Sequence, residues 1–530
     1  MPALGGETLS LQPWHDLFAV PGILRSALLS LGTGLAATLI SVILVILIVA
    51  TFQGTRGFRR VERVLSPLLS VPHAAAAFGL AFLIAPSGWL SRLLSPWLTG
   101  WNAPPDLLII HDTWGLTLIG GLVIKEVPFL LLMTIAALPQ ADASRTLAAA
   151  MTLGYGRVSG WCRTVLPRVY PQIRLPVYAV LAFSMSTVEV ALILGPTTPA
   201  TLAVRVTGWM RDPDLTLWFQ AAAGATLQLA LVLFAFLLWR FGETVIARLA
   251  LMRIMAGHRG RSDWFPRAIA LVSALAVSGA VFAGLVVLGI WSFAGFWRFP
   301  DALPQAFSLK TWMRSGDTLL SLVATGMGIA VASVVVALIL VLYQLQQTTR
   351  LDGSPDRGQG MWLIYLPLIL PQIAFLLGLQ ILSAISGLDG THFGVFVCHL
   401  MFVLPYVYLS LSDPWRALNP RFSTVAATLG SGPWRIFWWV RLPLMLTPIL
   451  TAAAVGLAVS LGLYLPTLLI GVGRVTTLTT EAVALTAGGD RRLIGVYGLL
   501  QAILPFIGFG VALAVPRLVW RNRRAMEARQ

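Results

Sequence analysis

The stretch TLGYGRVSGWCRTVLP, from Thr152 to Pro167, occurs a second time as TLGSGPWRIFWWVRLP, from Thr428 to Pro443. The offset between the copies is 276 residues, and both keep Thr-Leu-Gly-x-Gly and a terminal Leu-Pro at one spacing. The similarity continues into the next apolar segment, where FSMSTVEVALILG (Phe183–Gly195) aligns with VSLGLYLPTLLIG (Val459–Gly471). A repeat at a fixed offset predicts two copies of one structural unit in the chain.

The composition is that of a membrane protein. The chain has 530 residues, of which 57% are hydrophobic and 11% are charged, whereas a soluble domain carries about 25% charged residues. Apolar runs of about 20 residues recur, and each can cross a hydrocarbon core of about 30 Å. The two cysteines, Cys162 and Cys398, fit no disulfide or metal pattern. We therefore expect an all-α, polytopic transmembrane protein without a metal site.

Eleven membrane spans are predicted from the apolar runs. They cover residues 24–52, 66–86, 115–138, 175–195, 218–239, 268–292, 319–344, 361–386, 392–412, 447–470 and 496–516. Of the 37 Lys and Arg residues, 26 fall on one side of this topology and 10 on the other, with Lys125 inside a span. Because positive charge marks the cytoplasmic side, the C-terminus is predicted inside and the N-terminus outside. Lysine and arginine in the cytoplasmic loops therefore explain the net charge of +16, which does not indicate nucleic-acid binding.

The chain divides into two predicted halves. They are residues 1–243 and 267–530, joined by a basic cytoplasmic linker at 244–266. SLQPW at Ser10–Trp14 precedes the first span as SLKTW at Ser308–Trp312 precedes the seventh, but only the second half has a span before this motif. We therefore expect that a twelfth span, which would lead the first half as 268–292 leads the second, is missing. Both copies of the repeated motif face the cytoplasm, so the halves are predicted to be parallel rather than inverted repeats.

Each copy of the motif predicts a helix, a turn and a second short helix on the cytoplasmic face. Gly154 and Gly430 permit a sharp backbone turn, and short helices are predicted at about 157–164 and 433–440. Pro167 and Pro443 end these helices where the chain returns to the membrane. This amphipathic segment is too polar to span the bilayer and is exposed to a soluble partner.

The motif resembles the signature of binding-protein-dependent ATP-binding cassette (ABC) importer permeases, which is Glu-Ala-Ala-x-x-x-Gly followed after twelve residues by Pro. The family's Glu is replaced by Ala148 and Thr424. Span pattern and fused layout look most like the ferric-iron and thiamine importer permeases. The resemblance implies two parallel tandem repeats of the type I ABC importer permease fold, and a role for the short helices as coupling helices. The implied coupling residues are Ala148, Ala149, Ala150, Gly154, Gly156, Arg157, Trp161, Leu166, Pro167, Thr424, Ala426, Gly430, Gly432, Trp434, Phe437, Leu442 and Pro443.

No nucleotide-binding motif is present in this chain. A phosphate-binding loop needs a lysine after a glycine pattern, and neither Lys125 nor Lys310 follows one. There is also no catalytic constellation, so the chain is predicted to be a transport subunit rather than an enzyme. The resemblance implies a separate cytoplasmic ATP-binding subunit, most simply a homodimer, which binds ATP and Mg²⁺. It also implies an external substrate-binding protein and a location in the bacterial inner membrane, with the fused chain replacing a permease dimer.

Ionisable and polar residues inside spans are candidates for the translocation pathway. The candidates are Lys125, Glu126, Glu189, His399 and Tyr464. The structural alternative is an internal ion pair or a buried hydrogen-bonded group. A competing function is an ion- or proton-coupled secondary transporter that relays charge through the Lys and two Glu residues, and a scaffold without transport is a third. The sequence leaves the solute open among iron, thiamine, an oxyanion and an organic cation.

Overall fold

The computed structural model describes residues 10–58, 66–257, 259–260, 262–351 and 361–520. Helices are the main secondary structure of the described residues, which contain one isolated β-bridge between Ala294 and Phe307 and irregular connections such as 95–115 and 295–309. The fold is therefore all-α, as the sequence predicts. The first nine residues and the last ten, which carry much of the predicted outer N-terminus and inner C-terminal tail, lie outside the described residues.

The first part of the chain forms eleven labelled helices and a 3₁₀ turn at Ser66–Ser70 among its described residues. The helices are α1 (Gln12–Ala19), α2 (Ile23–Phe52), α3 (His73–Ile84), α4 (Trp89–Leu94), α5 (Leu116–Ala137), α6 (Ala143–Thr152), α7 (Arg157–Thr164), α8 (Leu166–Ser186), α9 (Glu189–Leu194), α10 (Leu202–Met210) and α11 (Leu217–Met255).

The second part begins with one helix that has no counterpart among the described helices of the first part. Its described helices are α12 (Trp264–Phe293), α13 (Lys310–Leu351), α14 (Met361–Ile369), α15 (Gln372–Ile385), α16 (His392–Ala417), α17 (Arg421–Thr428), α18 (Pro433–Ile436), α19 (Leu442–Leu444), α20 (Leu446–Gly462), α21 (Leu465–Gly471), α22 (Leu478–Ala484) and α23 (Arg491–Val519). A π-helical turn at Phe437–Arg441 separates α18 from α19.

Helix boundaries repeat at the offset of the sequence motif. The short helices α7 and α18 begin at residues 157 and 433, and α10 and α22 begin at residues 202 and 478. Helices α8 and α20 end at Ser186 and Gly462, and each is followed by a two-residue break before the next short helix. Helices therefore start and stop at equivalent positions in both copies, and two N-cap residues are themselves repeated, Gly156 as Gly432 and Thr201 as Thr477.

The count of eleven spans is not confirmed. By length and composition, eight of the described helices can cross a membrane, or nine if the pair Pro433–Leu444 and Leu446–Gly462, bent by 73°, is one span. The predicted span 361–386 is interrupted at Pro371 and the span 175–195 at Thr187. Proline removes a backbone donor and clashes with the preceding turn, so an apolar run on its own overstates the length of continuous helix.

The predicted linker at 244–266 is largely helical. Helix α11 continues to Met255 and α12 starts at Trp264, which leaves a short connection at 256–263. Helix α12 then packs against α2 and α3. At that contact, a Cβ on Gly79 would lie 2.9 Å from the carbonyl carbon of Gly284, so only glycine allows the two backbones to approach. Small residues at such crossings are typical of helix packing in membranes.

Candidate functional site

The first copy of the motif is a helix–turn–helix built by α6 and α7. The turn residue Gly154 has φ of 83°, a left-handed conformation that glycine adopts without a Cβ penalty. Its N–H donates to the carbonyl of Met151, and the N–H of Tyr155 donates to the carbonyl of Ala150. These bonds satisfy carbonyls at the end of α6 in the manner of a glycine C-cap. The chain therefore reverses within four residues and starts α7.

The second copy has the same turn. Gly430 has φ of 80°, its N–H donates to the carbonyl of Ala427, and the N–H of Ser431 donates to the carbonyl of Ala426. The short helix that follows differs from the prediction of 433–440, because α18 ends at Ile436 and a π-helical turn takes over. The first short helix, by contrast, matches the predicted 157–164.

Each short helix is anchored to the membrane part by one buried aromatic ring. Trp161 is fully buried and donates its indole N–H to the side-chain oxygen of Gln53, 2.5 Å away. The equivalent residue Phe437 is also buried and lies against the rings of Trp415 and Trp434. A ring held in this way transfers a displacement of the short helix to the spans behind it, because a packed interior has no void to absorb the movement.

The outward faces of the two loops are exposed but chemically different. In the second copy Leu429, Trp434, Trp438 and Trp439 are all more than half exposed. In the first copy Leu153 is exposed, and Arg145, Arg163 and Arg168 line a shallow surface cleft beside it. The predicted residues Ala148, Ala149 and Thr424 are exposed on these faces, whereas Ala150 is buried. The basic cleft is a feature that the sequence reading missed, since arginine is common in cytoplasmic loops.

The predicted pathway residues fall into separate places. Lys125 is buried and donates from Nζ to the carbonyls of Leu68 and Leu69, at 3.0 Å each, where the 3₁₀ turn breaks before α3. Glu126 is also buried, and its Oε1 has no hydrogen-bond partner among the described residues. The two adjacent side chains thus have different environments, as expected for neighbours on a helix.

His399 lies in an interhelical hydrogen-bond network. Its Nδ1 is 2.8 Å from Ser460 Oγ and its Nε2 is 2.8 Å from Thr467 Oγ1. The Thr467 hydroxyl donates to the carbonyl of Leu463 at 2.8 Å. Because that hydroxyl has only one hydrogen, it accepts from His399, which fixes the proton on Nε2. The geometry is that of a structural histidine.

Glu189 and Tyr464 lie at the two helix breaks. Glu189 begins α9 and Tyr464 precedes α21, and both side chains are buried within electrostatic range of one another. At the same level a Cβ on Gly462 would lie 3.8 Å from the Pro72 side chain, which caps α3. Breaks from both parts of the chain therefore meet. Non-helical backbone at membrane depth is tolerated where it is buried in protein or lines a cavity.

Comparison with known proteins identifies relatives over nearly the whole chain. Residues 388–519 match the family model described as "Binding-protein-dependent transport system inner membrane component". The chain is 32% identical to the inner membrane ABC transporter permease protein YnjC of Escherichia coli, over 98% of this chain and 93% of that protein. It is 25% identical to the thiamine transport system permease protein ThiP of Haemophilus influenzae, over 90% and 85%. It is 30% identical to the molybdenum transport system permease protein ModB of Mycobacterium tuberculosis, over 36% and 73%.

Proposed function

Because the chain belongs to the family of binding-protein-dependent transport system inner membrane components, we propose that its loops around Gly154 and Gly430 couple ATP hydrolysis to transport. The chain is the transmembrane permease subunit of an ABC importer in the inner membrane. Such a subunit works with an ATP-binding subunit and an external binding protein. The coupling role of the two loops is the further step, and it rests on their geometry.

The observation that carries this proposal is the repeated turn with an exposed face and a buried anchor. Gly154 and Gly430 have matching left-handed turns, and Trp161 and Phe437 tie the following helices to the spans. The exposed tryptophans Trp434, Trp438 and Trp439 are suited to a hydrophobic cleft in a partner, because aromatic residues are enriched in interface cores.

We infer that the partner is a dimer of ATP-binding subunits, with one cleft for each loop. ATP and Mg²⁺ are bound there, and the permease needs no cofactor of its own. Closure of the dimer draws the two loops together and opens the pathway to the outside, and hydrolysis resets it. One fused chain then replaces a permease dimer, with its C-terminus in the cytoplasm and its N-terminus outside.

We infer that the pathway passes the helix breaks near Glu189 and Tyr464. Lys125 and His399 are held in hydrogen bonds that stabilise the helices, and Glu126 lies beside Lys125. A charge relay through Lys125 is disfavoured because two of its three donors are bound to backbone carbonyls. The relatives are named for thiamine and for molybdenum. Because these solutes differ, the solute of this chain is not inferred from its relatives.

The test is ATP hydrolysis by the ATP-binding subunit reconstituted with this chain in liposomes. The binding protein, purified with its solute, is added outside. Native permease is compared with Gly154→Pro and Gly430→Pro, since proline cannot adopt a positive φ. We expect stimulated hydrolysis with native permease and its loss in both variants, while the complex still co-purifies. Unchanged stimulation in the variants refutes the coupling role, and uptake driven by an ion gradient without the ATP-binding subunit supports a secondary transporter.

A further inference from the structure

The N-terminus of α7 is capped by a residue from the connection between α11 and α12. Asp263 Oδ2 accepts the N–H of Arg157 at 2.6 Å, and Oδ1 accepts the N–H of Val158 at 3.3 Å. The neighbouring N–H of Gly156 donates to the carbonyl of Gly260 at 3.1 Å. Three successive N–H groups at the start of the first coupling helix are therefore bound by the connection rather than by solvent.

This capping is needed because the local sequence supplies none. The N-cap position of α7 is Gly156, which has no side chain to accept the free N–H groups of the first turn. A carboxylate is the preferred group there, since it both accepts hydrogen bonds and complements the helix dipole. Asp263 is held in place by Arg267, 3.6 Å away, and the guanidinium of Arg157 turns aside to the carbonyls of Thr51 and Gln53.

Among the residues that the structure describes, no such contact is made to the second coupling loop. Pro433 occupies the position of Arg157 and has no N–H to be capped. No described residue lies within 4 Å of a Cβ built on Gly430, whereas the Arg259 side chain lies 3.5 Å from a Cβ built on the equivalent Gly154. Val158 is buried, but its equivalent Trp434 is 53% exposed. The two loops are thus built differently around the same turn.

We propose that Asp263 is a positioning residue that ties the first coupling helix to the leading helix of the other half of the chain. Asp263 is the residue immediately before α12, which packs against α2, α3 and α23. A displacement of α7 by the ATP-binding subunit is therefore passed directly to α12. The second loop has no equivalent tie among the described residues. This inference rests on the proposed coupling function of the loops.

A disulfide tests whether the connection stays bound to α7 during the cycle. A Cβ on Gly260 would lie 3.2 Å from Ser159 Cβ, so the two backbones must separate by a few tenths of an ångström for a disulfide, and Gly260→Cys must also keep a left-handed φ of 47°. Ser159→Cys and Gly260→Cys are combined in a chain with Cys162→Ser and Cys398→Ala. We expect the bond to form, and the ATPase rate of the oxidised complex to remain within twofold of the reduced one. Failure to form the bond, or loss of rate that a reductant restores, overturns the proposal.

Substitution of Asp263 tests the positioning role. We expect Asp263→Ala to lower stimulated ATPase activity about three- to tenfold without loss of the complex. Asp263→Asn keeps one acceptor oxygen, so its activity should lie between that of Asp263→Ala and that of the native chain. Asp413→Ala is the matched control, because Asp413 is an exposed cytoplasmic-side aspartate paired with Arg416 at 3.4 Å.

Rescue separates positioning from general damage. The 159–260 disulfide should restore at least half of the native rate to Asp263→Ala, because a covalent bond then replaces the cap. A native rate in Asp263→Ala, or no rescue by the disulfide, contradicts the role. The disulfide forms in the permease alone, so its formation is scored independently of the proposed function. If native permease does not stimulate the ATP-binding subunit, the proposed coupling function is wrong. The contact of the connection with α7 is then tested separately, by whether the 159–260 disulfide forms.

Discussion

Gly154 and Gly430, in the two copies of the repeat, turn the backbone with φ of 83° and 80° and donate their N–H groups to equivalent carbonyls three residues earlier. The two turns thus have the same backbone conformation, whereas the sequence by itself shows only that both positions are glycine. This shared conformation places the exposed faces that follow each turn in equivalent positions. It also means that a substitution at either glycine acts on the direction of the short helix that follows.

The first prediction concerns the positive φ of Gly430. We expect Gly430→Ala to cost about 1 kcal/mol of local stability, because an L-residue in this conformation brings its Cβ too close to a carbonyl. Stimulated ATPase activity should fall several-fold in the reconstituted complex.

Gly432→Ala is the control for that variant. No described residue has an atom within 4 Å of a Cβ built on either glycine, but Gly432 has φ of −69°, which alanine adopts freely. We therefore expect native activity from Gly432→Ala. Equal losses in both variants would mean that surface area rather than backbone geometry is responsible.

Local rules made the coupling loops predictable. The Gly-to-Pro spacing gave the first short helix its bounds, 157–164, because glycine ends a helix and proline starts the next one within a few residues. The prediction of a membrane protein also depended on local sequence, because it followed from runs of consecutive apolar residues. The second short helix was predicted too long at 433–440, since nothing in WRIFWW indicates a π-helical turn after Ile436.

Contacts between distant residues were not predictable. Gln53 binds Trp161 and Asp263 caps α7 from about a hundred residues away, and neither lies in a motif. The break after Ser186 was also missed, because hydropathy averages over a window and does not register a two-residue interruption. Such features depend on which helices pack together, and a single sequence does not specify this.

The second prediction concerns Lys125 and the carbonyls of Leu68 and Leu69. Lys125→Met should lower the free energy of unfolding by about 2–3 kcal/mol, because a buried carbonyl and a partly buried one lose a charged donor. A thermal melt of the purified protein in detergent measures the change. Lys310→Met is the control, since Lys310 is exposed at the start of α13. A melting temperature equal to that of the native chain would show that the two hydrogen bonds contribute nothing.

The third prediction concerns His399. His399→Leu removes the histidine partner of the Ser460 and Thr467 hydroxyls, although Thr467 keeps its bond to the carbonyl of Leu463, and we expect a loss of about 1–3 kcal/mol. His399→Gln should retain more stability because an amide can donate to one hydroxyl and accept from the other. We further expect the ATPase rate of His399→Gln to follow the native pH profile between about pH 6 and pH 8, where histidine ordinarily titrates. A profile that loses its dependence on pH in this variant would assign the histidine a proton-transfer role.

The fourth prediction concerns the reactivity of Cys162 in the short helix α7. Burial disfavours the thiolate and raises the pKa of the Cys162 thiol to about 11, so at pH 7.5 nearly all of it is the unreactive thiol. We expect maleimide labelling of the native chain to be slow and to accelerate about tenfold for each pH unit up to pH 9.5, because the thiolate fraction rises tenfold per unit below the pKa.

The repeat supplies the control for Cys162. Its equivalent in the second loop is Trp438, which is 59% exposed. Cys162→Ser combined with Trp438→Cys moves the thiol to the open loop, where labelling at pH 7.5 should be at least tenfold faster. Cys398 is present in both chains and is buried, so it adds little to either rate. Equal labelling rates at the two positions would mean that α7 is as open to solvent as the second short helix. The cap that Asp263 places on α7 would then have no effect on solvent access to the thiol.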